Sequence, residues 1–250
     1  MYWDQLTSPQ LDQISRNTPV ILPIAATEQH GPHLPLATDR MIGEHFCHVI
    51  NEKMNEKVLI MPCIGITCSE HHMDFAGSLT LRHETFLLQV EDILHSVIAH
   101  GFKNLIILNS HGGNQGIGQV ILEKTGWRNP KVNFAFATWW KIALEEIRSI
   151  STGPFGSTGH AGEFETSLML LIAPELVHKD QFKHGENQQT FDWAENDMLQ
   201  GASASFYQTM KQRTSNGVFG DPTLASVEKG KRITAAVSKK LIELIDSLNK

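Results

Sequence analysis

The sequence predicts one α/β domain over residues 1–250, built in three layers with helices on both faces of a mainly parallel central sheet. Three observations carry this. Apolar runs alternate with segments of helical period, the order that strand–helix–strand crossovers need. The runs are apolar at nearly every position, as strands covered on both faces require. Clusters of His, Asp, Glu and Gly stand just after these runs, at the sheet edge where open α/β folds collect ligands.

The first strand is Val20-Ile21-Leu22-Pro23-Ile24-Ala25. Pro23 cannot donate to a ladder, so this strand is expected at an edge or with a bulge. Met41, Ile42, His45, Phe46, Val49 and Ile50 then recur at helical spacing. Val58 to Met61 reads as a second strand, stopped by Pro62. From Glu84 to His100 one face carries Leu87, Val90, Ile93, Leu94, Val97 and Ile98, and Gly101 closes the helix. Leu105 to Leu108 is a buried strand, followed by a Gly-rich turn and a short helix from Ile117 to Glu123. Val132 to Thr138 is another strand. Helices are expected over Trp139 to Ile150, Glu163 to Ile172 and Ser226 to Leu248. Between Gln181 and Pro222 the pattern is polar and weak, which suggests a long excursion or a partner-contacting region.

At 250 residues and 41% hydrophobic, the chain can bury one substantial core. A net charge of −6 without a dense basic run argues against nucleic acid and against an anionic membrane as partners. Cys47, Cys63 and Cys68 are odd in number and lack zinc-knuckle spacing, so a reducing cytosol is expected rather than a disulfide scaffold. The opening Met-Tyr-Trp-Asp-Gln-Leu shows no secretory pattern, and no stretch is long enough to span a membrane. A cytoplasmic protein is the expectation.

Three polar stations carry the chemistry. Glu28-Gln-His30-Gly-Pro-His-Leu-Pro-Leu-Ala-Thr-Asp39 packs carboxylates and imidazoles into a loop after an apolar strand. These ligand types suit Zn²⁺ or Mn²⁺, and a cation would compensate their burial. Asn109-Ser-His111-Gly112-Gly113-Asn114 follows the Leu105 strand; its glycines let backbone approach a ligand, and His111 is placed to bind metal. A phosphate loop is the rival, but the Lys-Ser/Thr that should follow is missing. The third station is Gly159-His160-Ala-Gly-Glu163-Phe-Glu165-Thr-Ser. Glu163 and Glu165 lie about 200° apart on a helix. Leu168, Met169 and Ile172 share the face of Glu165, so Glu165 points inward while Glu163 caps the helix dipole or meets water. A lesser station, Ser69-Glu-His71-His72-Met-Asp-Phe-Ala-Gly77, offers Ser69 and His72 as substrate contacts or is a solvated loop. His33 either faces substrate or braces the Pro32–Pro35 turn, and Trp139 and Trp140 read as core.

Pro23-x₄-Glu28-Gln-His30-Gly-Pro-His-Leu-Pro-Leu-x-Thr-Asp39 resembles the signature of the creatininase family. His111-Gly-Gly-Asn114, His160-Ala-Gly-x-x-Glu165-Thr-Ser, His72-Met-Asp-Phe-x-Gly77 and Gly217-Val-x-Gly-Asp-Pro222 resemble its later segments, in order along nearly the whole chain. The resemblance implies a creatininase-like fold and a site with two divalent ions, Zn²⁺ or Mn²⁺, that hydrolyses C–N bonds of cyclic or linear amides. It puts Glu28, His30, Asp39 and His111 on metal-ligand positions, with Asp39 bridging. Creatininase proper follows its third-motif His with Tyr and then a metal-binding Glu, where this chain has Gly112 and Gly113. Glu165 is taken to supply the missing carboxylate. The Gly-Gly form is similar to other branches, among them deformylases of pyrimidine nucleotide intermediates and a peptidase of peptide-cofactor maturation. A homo-oligomer, with a hexamer as the suggested form, is also implied.

Two such ions would activate water and polarise a carbonyl. His160 is then the candidate for stabilising the oxyanion or protonating the leaving nitrogen, and Gly112, Gly113 and Asn114 for holding substrate. The competing expectations are a non-catalytic metal- or ligand-binding member of the family, a peptidase, and a phosphate-binding regulator.

Overall fold

The computed structural model describes residues 1–188 and 190–248. Along the chain run α1 (Ser8–Asp12), β1 (Val20–Ile24), α2 (Thr38–Met54), β2 (Leu59–Ile60), α3 (His83–Ala99), β3 (Asn104–Asn109), α4 (Asn114–Arg128) and β4 (Asn133–Thr138). They are followed by α5 (Trp139–Ile142), α6 (Leu144–Arg148), α7 (Glu163–Ile172), α8 (Met210–Arg213) and α9 (Val227–Leu248). The strands pair in the order β2-β1-β3-β4, all parallel, as the alternation of runs predicts.

Strand side chains alternate between two cores. Ile21, Ile60, Ile106 and Leu108 join α2, α7 and α9 on one face. Val20, Leu22, Ile24, Leu59, Leu105 and Ile107 join α3 and α4 on the other. With both faces covered, each strand position must be apolar, which is why the runs show no alternation.

Three details differ from the sequence reading. β1 lies inside the sheet, not at its edge. Pro23 is tolerated because its carbonyl, and therefore its missing N–H, faces the β2 side, where the ladder has already ended at Ile60. There the Pro23 carbonyl accepts from Ile64 N–H at 3.0 Å. α4 is longer than the apolar positions suggest, because its polar residues and glycines give it a weak apolar stripe. The expected Trp139–Ile150 helix breaks at Ala143, whose φ of −117° and ψ of 29° leave the helical region. Residues 181–188 and 190–222 form an excursion with short helical turns, closed by Gly185 N–H to Gly220 O at 2.9 Å. No helix among the described residues is long and apolar enough to cross a membrane.

Candidate metal centre

All three stations meet at the carboxyl edge of β1 and β3. Glu28 N–H donates to Leu36 O at 3.0 Å and closes the loop after β1 on itself. That brings Glu28 and His30 against Asp39, which lies in the first turn of α2. His111 follows β3, and the Asn109 side chain clamps it: Asn109 Oδ1 accepts from His111 N–H (3.1 Å) and Nδ2 donates to His111 O (2.8 Å). Glu165 comes from the first turn of α7.

Asp39 is the middle of the cluster. Its Oδ1 stands 3.1 Å from His30 Nε2, and its Oδ2 stands 3.0 Å from His111 Nδ1. Glu28 Oε1 is 3.3 Å from His111 Nδ1, and Glu165 Oε2 is 3.9 Å from His30 Nε2. The carboxylate therefore has one imidazole–carboxylate pair on each side. Glu28, His30, Asp39, His111 and Glu165 are all buried.

Hydrogen bonds on the outer ring nitrogens assign the tautomers. His30 Nδ1 lies 3.1 Å from the Glu28 carbonyl, and His111 Nε2 lies 3.0 Å from the Cys68 carbonyl. Each outer nitrogen must carry a proton, so in the neutral ring each inner nitrogen turns a lone pair towards carboxylate oxygens. Lone pairs facing anions at about 3 Å repel unless a cation stands between them. Glu28 Oε2 and Asp39 Oδ2 are buried without a hydrogen-bond partner. These orphaned oxygens and inward lone pairs fit a divalent cation, with the outer contacts acting as the supports that orient histidine ligands. Glu28, His30 and Asp39 offer three ligand atoms mutually within 4.8 Å, as do His30, His160 and Glu165.

Without a cation, protons take its place. Burial pulls the His30 imidazole down, but the carboxylates of Asp39, Glu165 and Glu28 outweigh it and lift its pKa to about 9. His111 is raised well above its usual value by Glu28 and Asp39 against the same burial. Asp39 is held low by His30 and His111 despite its burial. Glu165 is pushed up to about 7, first by burial and then by Asp39 and Glu28.

The remaining expected residues fall around this centre. His160 Nε2 lies 2.8 Å from the Gln29 carbonyl, and its Nδ1 is 3.8 Å from Glu28 Oε1. His72 Nε2 is 3.3 Å from Glu28 Oε1. Burial, then the neighbouring His160 for one and His30 for the other, holds His72 and His160 well below the ordinary imidazole range. Ser69 Oγ is 3.4 Å from His111 Nε2, behind the ring rather than on its open side. Gly112 has open space where a side chain would begin; a Cβ on Gly113 would overlap Cys68 O and His111 Nε2. Asn114 is fully buried, and neither atom of its amide finds a partner. His33 does more than brace its turn: its Nε2 bonds Thr166 Oγ1 at 2.9 Å and ties the loop to α7. Glu163 does not meet water. It is fully buried and bonded to Lys229, Ser151 and Thr152. Gln29, between two candidate ligands, is the residue that sequence reasoning missed. Its amide contacts both His72 and His160, and its place inside the densest motif was the available signal.

The fold and site define an α/β protein with a buried carboxylate–imidazole cluster, a donor set that could hold a metal ion, at the carboxyl edge of a parallel sheet. The creatininase (creatinine amidohydrolase) family model matches residues 4–245, and the chain belongs to that family. It is 30% identical over 241 residues to the mycofactocin precursor peptide peptidase of Mycobacterium tuberculosis (strain CDC 1551 / Oshkosh), covering 92% of this chain and 85% of the relative. It is 28% identical over 178 residues to the creatinine amidohydrolase of Pseudomonas putida, covering 65% and 67%. A crystal structure of creatinine amidohydrolase superposes with a TM-score of 0.82 at 21% identity over 98% of this chain and 96% of that one. A manganese form of creatininase superposes with a TM-score of 0.81 at 22% identity, over 98% and 97%. The relatives are hydrolases, and this chain is a creatininase-family hydrolase.

Proposed function

We propose that this chain is a metal-dependent amidohydrolase in which Glu28, His30, Asp39, His111 and Glu165 would hold two divalent ions, Zn²⁺ or Mn²⁺. The observation that carries this reading is the pair of Asp39 oxygens, at 3.1 and 3.0 Å from two different inward-facing imidazole nitrogens. A His–Glu pair on either side of one carboxylate is the donor arrangement of a two-ion site. Such ions, when bound, supply an activated water and a polarised carbonyl.

The chain's own residues do the rest. The Gln29 carbonyl can only accept, so the His160 proton sits on Nε2, 2.8 Å away, the Gln29 NH₂ at 3.2 Å makes no hydrogen bond to it, and the Nδ1 lone pair turns inward. His160 accepts a proton there and delivers it to the leaving nitrogen. In the neutral ring it has no N–H for an oxyanion, so that part of its expected role passes to the backbone of Gly112 and Gly113. An amide needs this proton delivery because its nitrogen is a poor leaving group. Asn114 and Ser69 shape the wall behind His111 and Gly112.

The substrate class is a C–N bond in a cyclic or linear amide, such as a lactam or formamide. A short peptide is the second reading, supported by the peptidase relatives and by the open space at Gly112. A homo-oligomer acting in the cytosol belongs to the same proposal. Metal-loaded protein assayed on cyclic ureas, lactams, formamides and short peptides should hydrolyse one class, and Glu28→Ala or His111→Ala should lose both metal and turnover. Full activity in metal-stripped protein would sink the reading. One tightly held ion per chain with no hydrolysis would favour a non-catalytic binding protein.

A further inference from the structure

We propose that Gln29 is a positioning residue that fixes the His72 proton on Nε2 and thereby keeps His72 a donor to Glu28 instead of a ligand. The inference deepens the reading above, because it takes Glu28 as a metal-holding carboxylate. His72 lies where a ligand would lie: its ring nitrogen, a Glu28 oxygen and a His160 nitrogen are mutually within 4.8 Å. Only the position of its proton decides whether it coordinates or donates.

Gln29 makes that decision through its amide orientation. Its Oε1 accepts from Gly31 N–H at 2.9 Å, so the NH₂ end must face the other way. Gln29 Nε2 then lies 3.0 Å from His72 Nδ1. An amide NH₂ only donates, so His72 Nδ1 is an acceptor and the single ring proton sits on Nε2. That proton faces Glu28 Oε1 at 3.3 Å. A protonated ring nitrogen cannot bind a metal, so His72 stands beside the Glu28 carboxylate as an outer neighbour and not as a ligand.

The surroundings hold the amide in this orientation. Gln29 is 5% exposed, and its backbone N–H donates to Ser78 Oγ at 3.1 Å. Gly31 (φ 66°) and Gly217 (φ 79°) both occupy the left-handed region. A Cβ on Gly217 would overlap Gln29 Oε1. The Gly217-Val-x-Gly segment supplies no candidate ligand; its part in the site is to form the wall against which the amide oxygen rests.

The test is a ¹H–¹⁵N correlation of the imidazoles in the Zn²⁺-loaded protein, with His45 as a remote reporter of folding. The native chain should show His72 protonated at Nε2 with Nδ1 bare. Gln29→Glu replaces the donor by an acceptor, so the two His72 nitrogens should exchange their protonated and bare signatures. Gly217→Ala displaces the amide without altering residue 29, and should give a mixed or shifted His72 signal beside an unchanged His45. A native His72 carrying its proton on Nδ1, or a His72 signature that stays native in both variants, would overturn the proposal. A protein that hydrolyses no amide yet shows these tautomers would instead refute the proposed function and leave the Gln29 assignment standing.

Discussion

Gly112 and Gly113 are adjacent and chemically identical, yet a methyl group added to each should have opposite consequences. A Cβ at Gly113 would overlap both Cys68 O and His111 Nε2, the two ends of a 3.0 Å hydrogen bond, and would come within 2.8 Å of His71 Cε1. Carbon needs about 3.5 Å from each neighbour, and one of these atoms is backbone. The hydrogen bond that orients His111 must therefore open. Loss of such an outer support lowers metal affinity by about 10–100-fold, or about 1.4–2.7 kcal/mol. Overpacking should cost a further 1–3 kcal/mol or so of fold stability. At Gly112 nothing lies within 4 Å of the built Cβ, so alanine there should change stability by no more than about 0.5 kcal/mol. Zinc affinity by chelator competition and stability by urea unfolding measure both effects. Gly113→Ala binding zinc as tightly as the native chain would refute the claim that His111 is held from behind. The same geometry means that Gly113→Glu will not add a working carboxylate to the cluster, because its first side-chain atom already collides.

Other outcomes follow from the same centre. Without a bound ion, the His30 pKa of about 9 exceeds its ordinary 6.5, so the stability it contributes is complete below pH 6.5 and is lost as pH rises through 9. Calorimetry of metal-stripped protein should show Tm falling across that window, by up to about 3 kcal/mol of stability, and a flat profile would contradict the proton-for-metal exchange. Zinc binding at pH 7 should release between about two and three protons, from His30, His111 and the half-protonated Glu165, read from titration heats in buffers of different ionisation enthalpy. Glu165→Gln should reduce bound metal by one ion per chain in elemental analysis while Glu28 and His111 retain the other. Lys229→Met leaves the buried Glu163 without its cation and should lower stability by about 3 kcal/mol, with metal content per folded chain unchanged.

The parts of this protein that periodicity controls are readable from sequence, and the parts set by long-range contacts are not. The β1 and β3 runs announce themselves because both faces are buried. Helix phase separates Glu165 from Glu163, since that depends only on the helical repeat: Glu165 stands 3.9 Å from His30 Nε2, while Glu163, just as buried, pairs with Lys229. What phase cannot supply is the environment. Glu163 reads as a dipole cap or a water-facing group because its partner Lys229 lies on α9, 66 residues away. Pro23 reads as an edge residue because the early end of β2 is not written in β1. Gln29 escapes a motif reading because an amide carries no charge or metal affinity of its own. Its importance comes from which way it is turned, and that is set by glycines at 31 and 217.

The origin of the fifth donor has a structural consequence. Glu28, Asp39 and His111 descend from the ends of β1 and β3 or the helix start beside them, one rigid sheet edge. Glu165 comes from α7, which belongs to the layer outside the sheet and is packed closely on α9, with Ser226 N–H on Ser167 Oγ at 3.1 Å. Its carboxylate is reached through a bent entry: Ala161 holds a left-handed φ of 55° and donates its N–H to Glu165 Oε2 at 2.6 Å. A non-glycine residue there carries strain of about 1 kcal/mol, which that charge-assisted bond offsets. One side of the cluster is thus anchored in the sheet, while the other depends on how the α7–α9 pair seats against it. Substitutions that loosen the helix pair should therefore weaken the His30–Glu165 half first and leave the Glu28–His111 half intact.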